Sequence, residues 1–194
     1  MAQASTNGIS KGFLLTESAA AAGPVMEDEE SWKISNNLSR QLELNPCGRK
    51  TKPRDGRVAM RTITYESSAP SSSSEQLVLY RNTKSAQAAF RKLQRDLAKC
   101  RMQAVSVKHH GHPWYGYIGK PLRAGDEGLS VASYYYNKKR KRVGEALDLT
   151  VVARRGAALF FYTDAGNGLR ERKKIVSQAK KMATKVCDLP GVCE

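Results

Sequence analysis

His109, His110 and His112 are the three histidines of the chain, and all fall in the stretch KHHGHPWYGY. Imidazoles this close together suggest metal ligation or general acid–base work. Metal sites need ligands converging from fixed positions, and i, i+1, i+3 around a glycine converges poorly without a carboxylate or thiolate. No acid stands at a spacing that would make one of these histidines a general base. A solvated loop is therefore expected, with no metal, no cofactor and no catalytic residue. Trp114, Tyr115 and Tyr117 beside them, with Tyr135 further on, are better candidates, because aromatic side chains on a loop can line the mouth of a cleft.

The densest charge lies in SYYYNKKRKRVG, where Lys138, Lys139, Arg140, Lys141 and Arg142 follow three tyrosines at a hairpin tip. Basic residues at a turn keep a sheet edge from pairing with another chain. Five in a row exceed that need, and an anion-binding finger is expected. Lys173, Lys174, Lys180 and Lys181 on the last helix extend the patch. Asp126-Glu127 and the pair Glu145 and Asp148 are read as structural.

Acidic and basic residues balance up to Gly56, so the formal net charge of +15 belongs to the rest of the chain. Such a field attracts nucleic acid, anionic lipid or anionic wall polymer without distinguishing them. With 194 residues, 40% of them hydrophobic, the chain can bury the core of one domain. No apolar run approaches the roughly 20 residues of a membrane span.

The four cysteines, Cys47, Cys100, Cys187 and Cys193, form no CxxC pair, which disfavours a zinc ribbon. Their positions are those where a cross-link is useful: a loop after a proline, a helix end, and both sides of a C-terminal Pro-Gly turn. Two disulfides are expected over four buried thiols, and with them an oxidising compartment. That compartment counts against nucleic acid as the partner.

The elements that must position these residues follow from periodicity. Residues 1–12 read as a polar linker and 13–194 as one domain. Thr16 is expected to cap a short alanine turn stopped at Gly23-Pro24. Residues 26–48 read as irregular structure with a short helix. RVAMRTITYES is a strand with a bulge expected between Met60 and Ile63, and SSAPSSSS is a flexible hairpin connection. EQLVLYRN is the next strand. A helix then runs from an N-cap at Thr83 to Cys100, its apolar stripe formed by Ala86, Ala89, Phe90, Leu93, Leu97 and Cys100. MQAVSVK is a strand, and 115–118 a short edge strand in a long loop. Strands follow at about 129–136, 145–154 and 157–163, the last two joined at Arg155-Gly156. A final helix capped by Asn167 places Ile175, Ala179, Met182 and Val186 inward. Hairpins rather than βαβ units argue α+β: a twisted antiparallel sheet with two long helices on one face.

The order strand, SAQAAFRKLQRDLAKC, strand, loop, GDEGLSV, strand, LTVVARRGAALFFY and a terminal helix ending in cysteine resembles a known family. It is that of the extracellular sensor domains of mycobacterial PknH-like receptor kinases and the actinobacterial lipoproteins similar to them. The resemblance covers roughly 75–190 well and 13–66 loosely, and FLLTESAAAAG looks like the opening of such lipoproteins. It implies a disulfide-stapled antiparallel sheet with a broad ligand cleft, bridges Cys47–Cys100 and Cys187–Cys193, and no catalytic residue. The chain departs from the kinases in carrying neither a kinase domain nor a membrane span, and in its heavy positive charge.

The expected function is therefore a non-enzymatic, extracytoplasmic ligand-binding domain of the actinobacterial envelope, secreted or lipid-anchored and monomeric. Its partners would be an envelope ligand and an anionic membrane or wall surface. A nucleic-acid-binding protein using 138–142 is the alternative, and a hydrolase using the 109–112 histidine loop the third reading.

Overall fold

The computed structural model describes residues 8–24, 29–48, 54–68, 71–106, 111–166 and 172–194. Among them nine strands form one antiparallel sheet: β1 (Glu30–Ser35), β2 (Arg57–Ser67), β3 (Ser72–Tyr80), β4 (Met102–Ala104), β5 (Trp114–Pro121), β6 (Glu127–Tyr136), β7 (Arg142–Val143), β8 (Asp148–Arg155) and β9 (Ala158–Ala165). The strand order is β1-β2-β3-β9-β8-β6-β5-β4, with β7 paired to β6. Two meanders thus meet where β3 pairs with β9. Helix α2 (Thr83–Lys99) carries the chain from β3 to β4 at the far edge. Helices α1 (Glu17–Ala22) and α3 (Arg172–Lys185) complete the fold.

The α+β class and the antiparallel sheet stand as expected, but the long helices do not share a face. Side chains alternate across a strand. Val78, Val152, Leu159 and Phe161 pack with Ala86, Ala89, Phe90 and Leu93 of α2. Their strand neighbours Leu77, Val151, Phe160 and Tyr162 pack with Ile175, Ala179 and Met182 of α3. The sheet is covered on both sides. Its central strands are accordingly continuous buried runs, Glu75–Tyr80, Leu149–Arg154 and Ala158–Tyr162. Unbroken apolar strands such as LTVVA and AALFFY are the sequence mark of two-sided burial.

Several local expectations shift. Instead of a short helix in 26–48 there is the strand β1, whose Trp32 pairs across to Tyr65 with ring centroids 4.8 Å apart; such cross-strand aromatic pairs stabilise an edge. The β2 bulge lies between Arg57 and Ala59 rather than after Met60, and Ser72–Ser74 belong to β3 rather than to a flexible connection. Asn82, not Thr83, caps α2, accepting from the Ser85 amide at 2.8 Å. Strand β5 lies between β4 and β6 rather than at an edge. Thr16 makes no side-chain cap to α1; its hydroxyl instead donates to Glu75 at 2.7 Å. Ile9, within the expected linker, packs against the core. Asn167 and His109 and His110 lie outside the described residues.

One turn ties the fold's end together. The loop between β8 and β9 is Gly156-Ala157, one residue beyond the expected turn. Asp126 accepts from the Gly156 amide at 2.8 Å and pairs with Arg154 at 3.0 Å and Arg155 at 2.8 Å. Glu127 pairs with Arg154 at 2.6 Å, and the Arg154 guanidinium also donates to the Gly156 carbonyl at 3.0 Å. Burial opposes ionisation of Asp126, but the Gly156 amide and the Arg155 and Arg154 guanidiniums hold its carboxyl below the usual carboxylate range. GDEG and ARRG are therefore the two halves of one polar clamp, in keeping with the structural reading of Asp126-Glu127. On the other side of the turn, the Ala157 amide donates to the Val192 carbonyl at 2.8 Å. Cys187–Cys193 closes the C-terminal loop that presents this carbonyl, and Cys47–Cys100 ties the end of α2 to residues upstream of β2.

Gly156 has φ 52°, and a Cβ there would lie 1.7 Å from the Val192 carbonyl oxygen, whereas Gly144 at φ 69° faces open space. Gly156→Ala should cost about 3 kcal/mol or more in chemical denaturation, and Gly144→Ala about 1–2 kcal/mol, the backbone term alone. Equal losses would mean that the close approach is relieved at no cost. The bridges close loops of separation 53 and 6. On chain entropy they contribute roughly 4 and roughly 2 kcal/mol. Cys47→Ser/Cys100→Ser should therefore lower the melting temperature more than Cys187→Ser/Cys193→Ser, and non-reducing peptide mapping should recover these two pairings alone.

Candidate functional site

Between β1 and β2 the chain crosses the α2 face of the sheet as a strap, residues 40–47. A turn at Asn37 starts it: the Ser39 amide donates to the Asn37 side chain at 2.9 Å and the Arg40 amide to the Asn37 carbonyl at 3.0 Å. A strap has no ladder of its own, so its backbone groups must find partners elsewhere. The Arg57 guanidinium donates to the Arg40 carbonyl at 2.9 Å. Gln76, fully buried on β3, donates to the Gln41 carbonyl and to the Thr62 hydroxyl at 3.2 Å each, and accepts from the Glu43 amide at 3.1 Å. Leu44 drops into the α2-side core, Gln103 donates to the Pro46 carbonyl, and Cys47 is bonded to Cys100. The strap thus lies beside α2 from the β2–β3 side to the β4 edge, with a cleft on either flank.

The larger cleft, about 390 Å³, opens between strap and helix. Leu42, Leu44 and Pro46 line it from the strap, and Ala88, Ala89 and Leu93 from α2. Asp55 pairs with Arg57 at 2.5 Å and accepts from the Tyr80 hydroxyl at 3.4 Å. Burial opposes its ionisation, yet the Arg57 guanidinium keeps its carboxyl below the usual range. Lys92 pairs with Asp96 at 2.5 Å. Arg54 and Arg95 also line the cleft, both exposed.

The smaller cleft, about 100 Å³, lies between Glu43, Leu44 and Asn45 of the strap and Tyr115, Tyr117, Ser133, Asp148, Thr150 and Thr163 of the sheet. The Asp148 carboxylate accepts from Tyr115 at 3.1 Å and from Ser133 at 2.8 Å, and Thr150 and Thr163 share a hydrogen bond of 3.1 Å. Tyr115 packs edge-on against Tyr117 and Tyr135, at 5.3 and 5.8 Å. Burial, reinforced by the Asp148 charge and opposed by a Ser133 hydrogen bond, pushes the Tyr115 phenol far up, so it is a donor and not a base.

Of the expected cleft residues, the structure brings Tyr115, Tyr117 and Tyr135 to the α2 face and sends Trp114 to the other, where it packs with the α3-side core. The pleat imposes this separation on adjacent residues. His112 lies 5.8 Å ring to ring from Tyr135 and joins no acid–nucleophile set among the described residues. Sequence reasoning missed the strap, Gln76 and Glu43. The available signal was Gln76 itself, a polar residue inside the apolar run EQLVLY, because a buried amide must be hydrogen-bonded.

The basic finger is a tight tip. Asn137 accepts from the Lys139 and Lys141 amides at 2.9 and 3.0 Å, and Arg140 takes φ 56°. Arg140 lies over Trp114 and Arg142 over Tyr134, each 4.7 Å from the ring centre. Two of the five cations of the expected anion-binding finger are therefore laid on rings of the α3 side. Lys138, Lys139 and Lys141 are exposed, as are Lys173, Lys174, Lys180 and Lys181 on α3.

Gln76→Ala should free the strap without emptying the core. Leaving buried strap groups unpaired costs about 1–3 kcal/mol. Hydrogen exchange should accelerate at Glu43 while the amides of β8 and β9 stay protected at the level set by global stability. A uniform rise would assign Gln76 to the core rather than to the strap.

No family model and no curated protein matches the chain. Among solved structures, the chain is similar to the crystal structure of the extracellular domain of PknH from Mycobacterium tuberculosis, at a TM-score of 0.58 and 11% identity. The match covers 93% of this chain and 100% of that one. At that identity the likeness is one of fold: this chain has the fold of that extracellular domain.

Proposed function

We propose that the chain is a non-enzymatic, extracytoplasmic ligand-binding domain of the cell envelope, of the actinobacterial sensor and lipoprotein type, secreted or lipid-anchored and acting as a monomer. The observation that carries the reading is the cleft of about 390 Å³ between α2 and a strap held by Cys47–Cys100. Its volume falls in the roughly 300–1,000 Å³ range of small-molecule sites. A cleft whose wall depends on a disulfide suits an oxidising compartment, where that bond persists. The fold likeness to an extracellular domain points the same way. The excess charge, carried by the exposed lysines of the finger and α3, would hold the domain to an anionic membrane or wall polymer.

The docking half of the proposal is tested with vesicles containing anionic lipid. Each basic residue near such a surface is worth about 1 kcal/mol, so Lys138→Gln/Lys139→Gln/Lys141→Gln should weaken binding about a hundredfold, with a steep salt dependence in the parent. Lys84→Gln/Arg91→Gln/Lys99→Gln, on α2, should weaken it far less. Equal losses would reduce the effect to net charge and sink the finger. Duplex DNA added as competitor at the same salt should displace the protein poorly; strong displacement would move the reading to nucleic acid.

A further inference from the structure

Resting on the strap cleft as the ligand site, we propose that its ligand is an amphipathic anion, an apolar chain ending in a carboxylate or phosphate. The cleft combines two chemistries. Its walls are apolar, Leu42, Leu44 and Pro46 facing Ala88, Ala89 and Leu93, with Leu44 and Leu93 at 5% and 4% exposure. Its charges do not cancel. Asp55 is answered by Arg57 and Asp96 by Lys92. Arg54 and Arg95 line the same cleft with no ion pair or hydrogen bond among the described residues. Two unmatched guanidiniums therefore stand beside an apolar groove.

That combination discriminates between ligand classes. A cationic ligand would meet net positive charge, with both carboxylates already paired. A hydrophilic polyanion would find the guanidiniums but leave the leucine walls in contact with water. A neutral apolar molecule would fill the groove and gain nothing from the arginines. An apolar chain with an anionic head satisfies both parts, since guanidinium binds carboxylate and phosphate through paired N–H donors. The smaller cleft across the strap, about 100 Å³, has no room for such a chain. On the α3 side a cleft of about 340 Å³ contains Glu75, whose carboxylate is occupied by the Leu15 and Thr16 amides and the Thr16 and Tyr162 hydroxyls.

The test is calorimetric titration of the oxidised full chain with dodecanoate, dodecyl phosphate, the neutral dodecyl maltoside and inorganic phosphate, all below micellar concentration. Dodecanoate or dodecyl phosphate should bind one per chain, and their relative affinity identifies the head group. Dodecyl maltoside and inorganic phosphate should each bind at least about tenfold more weakly, lacking one half of the recognition. Arg54→Gln/Arg95→Gln should weaken the anionic chain by about tenfold per guanidinium. Ala88→Trp, at an exposed position that lines the cleft, should abolish binding at an unchanged melting temperature. Lys138→Gln/Lys139→Gln/Lys141→Gln should leave it intact, which separates the cleft from attraction to the finger. Suppose dodecyl maltoside binds as well as dodecanoate, the arginine variant loses nothing, and Ala88→Trp still blocks. The ligand class is then wrong while the cleft stands. If no probe binds, or Ala88→Trp leaves binding unchanged, the cleft is not the ligand site and both readings fall.

Discussion

Three central strands that are apolar on both faces must be covered twice, and this requirement organises the molecule. β3, β9 and β8 bury nearly every side chain along their middle lengths. On one face α3, the N-terminal segment around Phe13 and Leu14, and the C-terminal Val186 and Val192 supply the cover. On the other, α2 contributes Ala86, Ala89, Phe90 and Leu93, with Leu97 partly buried beside them. A single helix cannot roof a sheet of this width, and the strap takes the remaining area with Leu44. Because it is neither helix nor strand, it has few apolar anchors and no ladder. It is held instead by side-chain hydrogen bonds and a covalent bond. The cleft is the space that this second cover leaves beside the first.

The same need explains where the buried polar groups sit. A hydrogen-bonding group removed from water must be satisfied inside. Gln76 sits in the apolar layer because it is the point at which the strap's carbonyl and amide groups find partners. Arg154 is buried between Asp126, Glu127 and the Gly156 carbonyl, where β6 and β8 meet their turn. Arg61 and Glu17 pair in the interior, fastening α1 to β2. Gln76 and Arg154 thus each join a segment without regular structure to the sheet, and Arg61 joins a helix to it. In these places polarity specifies position, and the apolar layers supply most of the stability.

This division also separates the charges. The acidic residues beyond Gly56 include Asp126, Glu127 and Asp96, paired with arginine or lysine, and the buried Glu75 and half-buried Asp148, whose carboxylates accept hydrogen bonds from neighbouring hydroxyls. The lysines of the finger and α3 are exposed. The positive excess therefore appears at the surface as a field facing solvent, while the cleft retains two guanidiniums of its own.

The α+β class, the two helices with their inward stripes and the hairpin order of the later strands were legible in the sequence, because periodicity records which side of an element is buried. GDEG and ARRG could be quoted as motifs, and Asp126-Glu127 read as structural, but that the two segments pair is visible only where β6 and β8 lie side by side. That the helices take opposite faces was written in LTVVA and AALFFY, yet it was missed, because a continuous apolar strand becomes informative only once its neighbours are known. The separation of Trp114 from Tyr115 and Tyr117 follows from the pleat once all three lie in one strand, but which face each takes was decided only by the pairing of β5 with β6, as was the fate of Arg140 and Arg142, which lie on rings of β5 and β6. The strap is the clearest limit. Nothing local in RQLELNPC announces it, since its partners Gln76, Gln103 and Cys100 lie some thirty to sixty residues away. Local propensity and periodicity are properties of neighbours along the chain, and they determined the elements. The cleft is a property of surfaces that meet only after folding, so tertiary structure alone decided it.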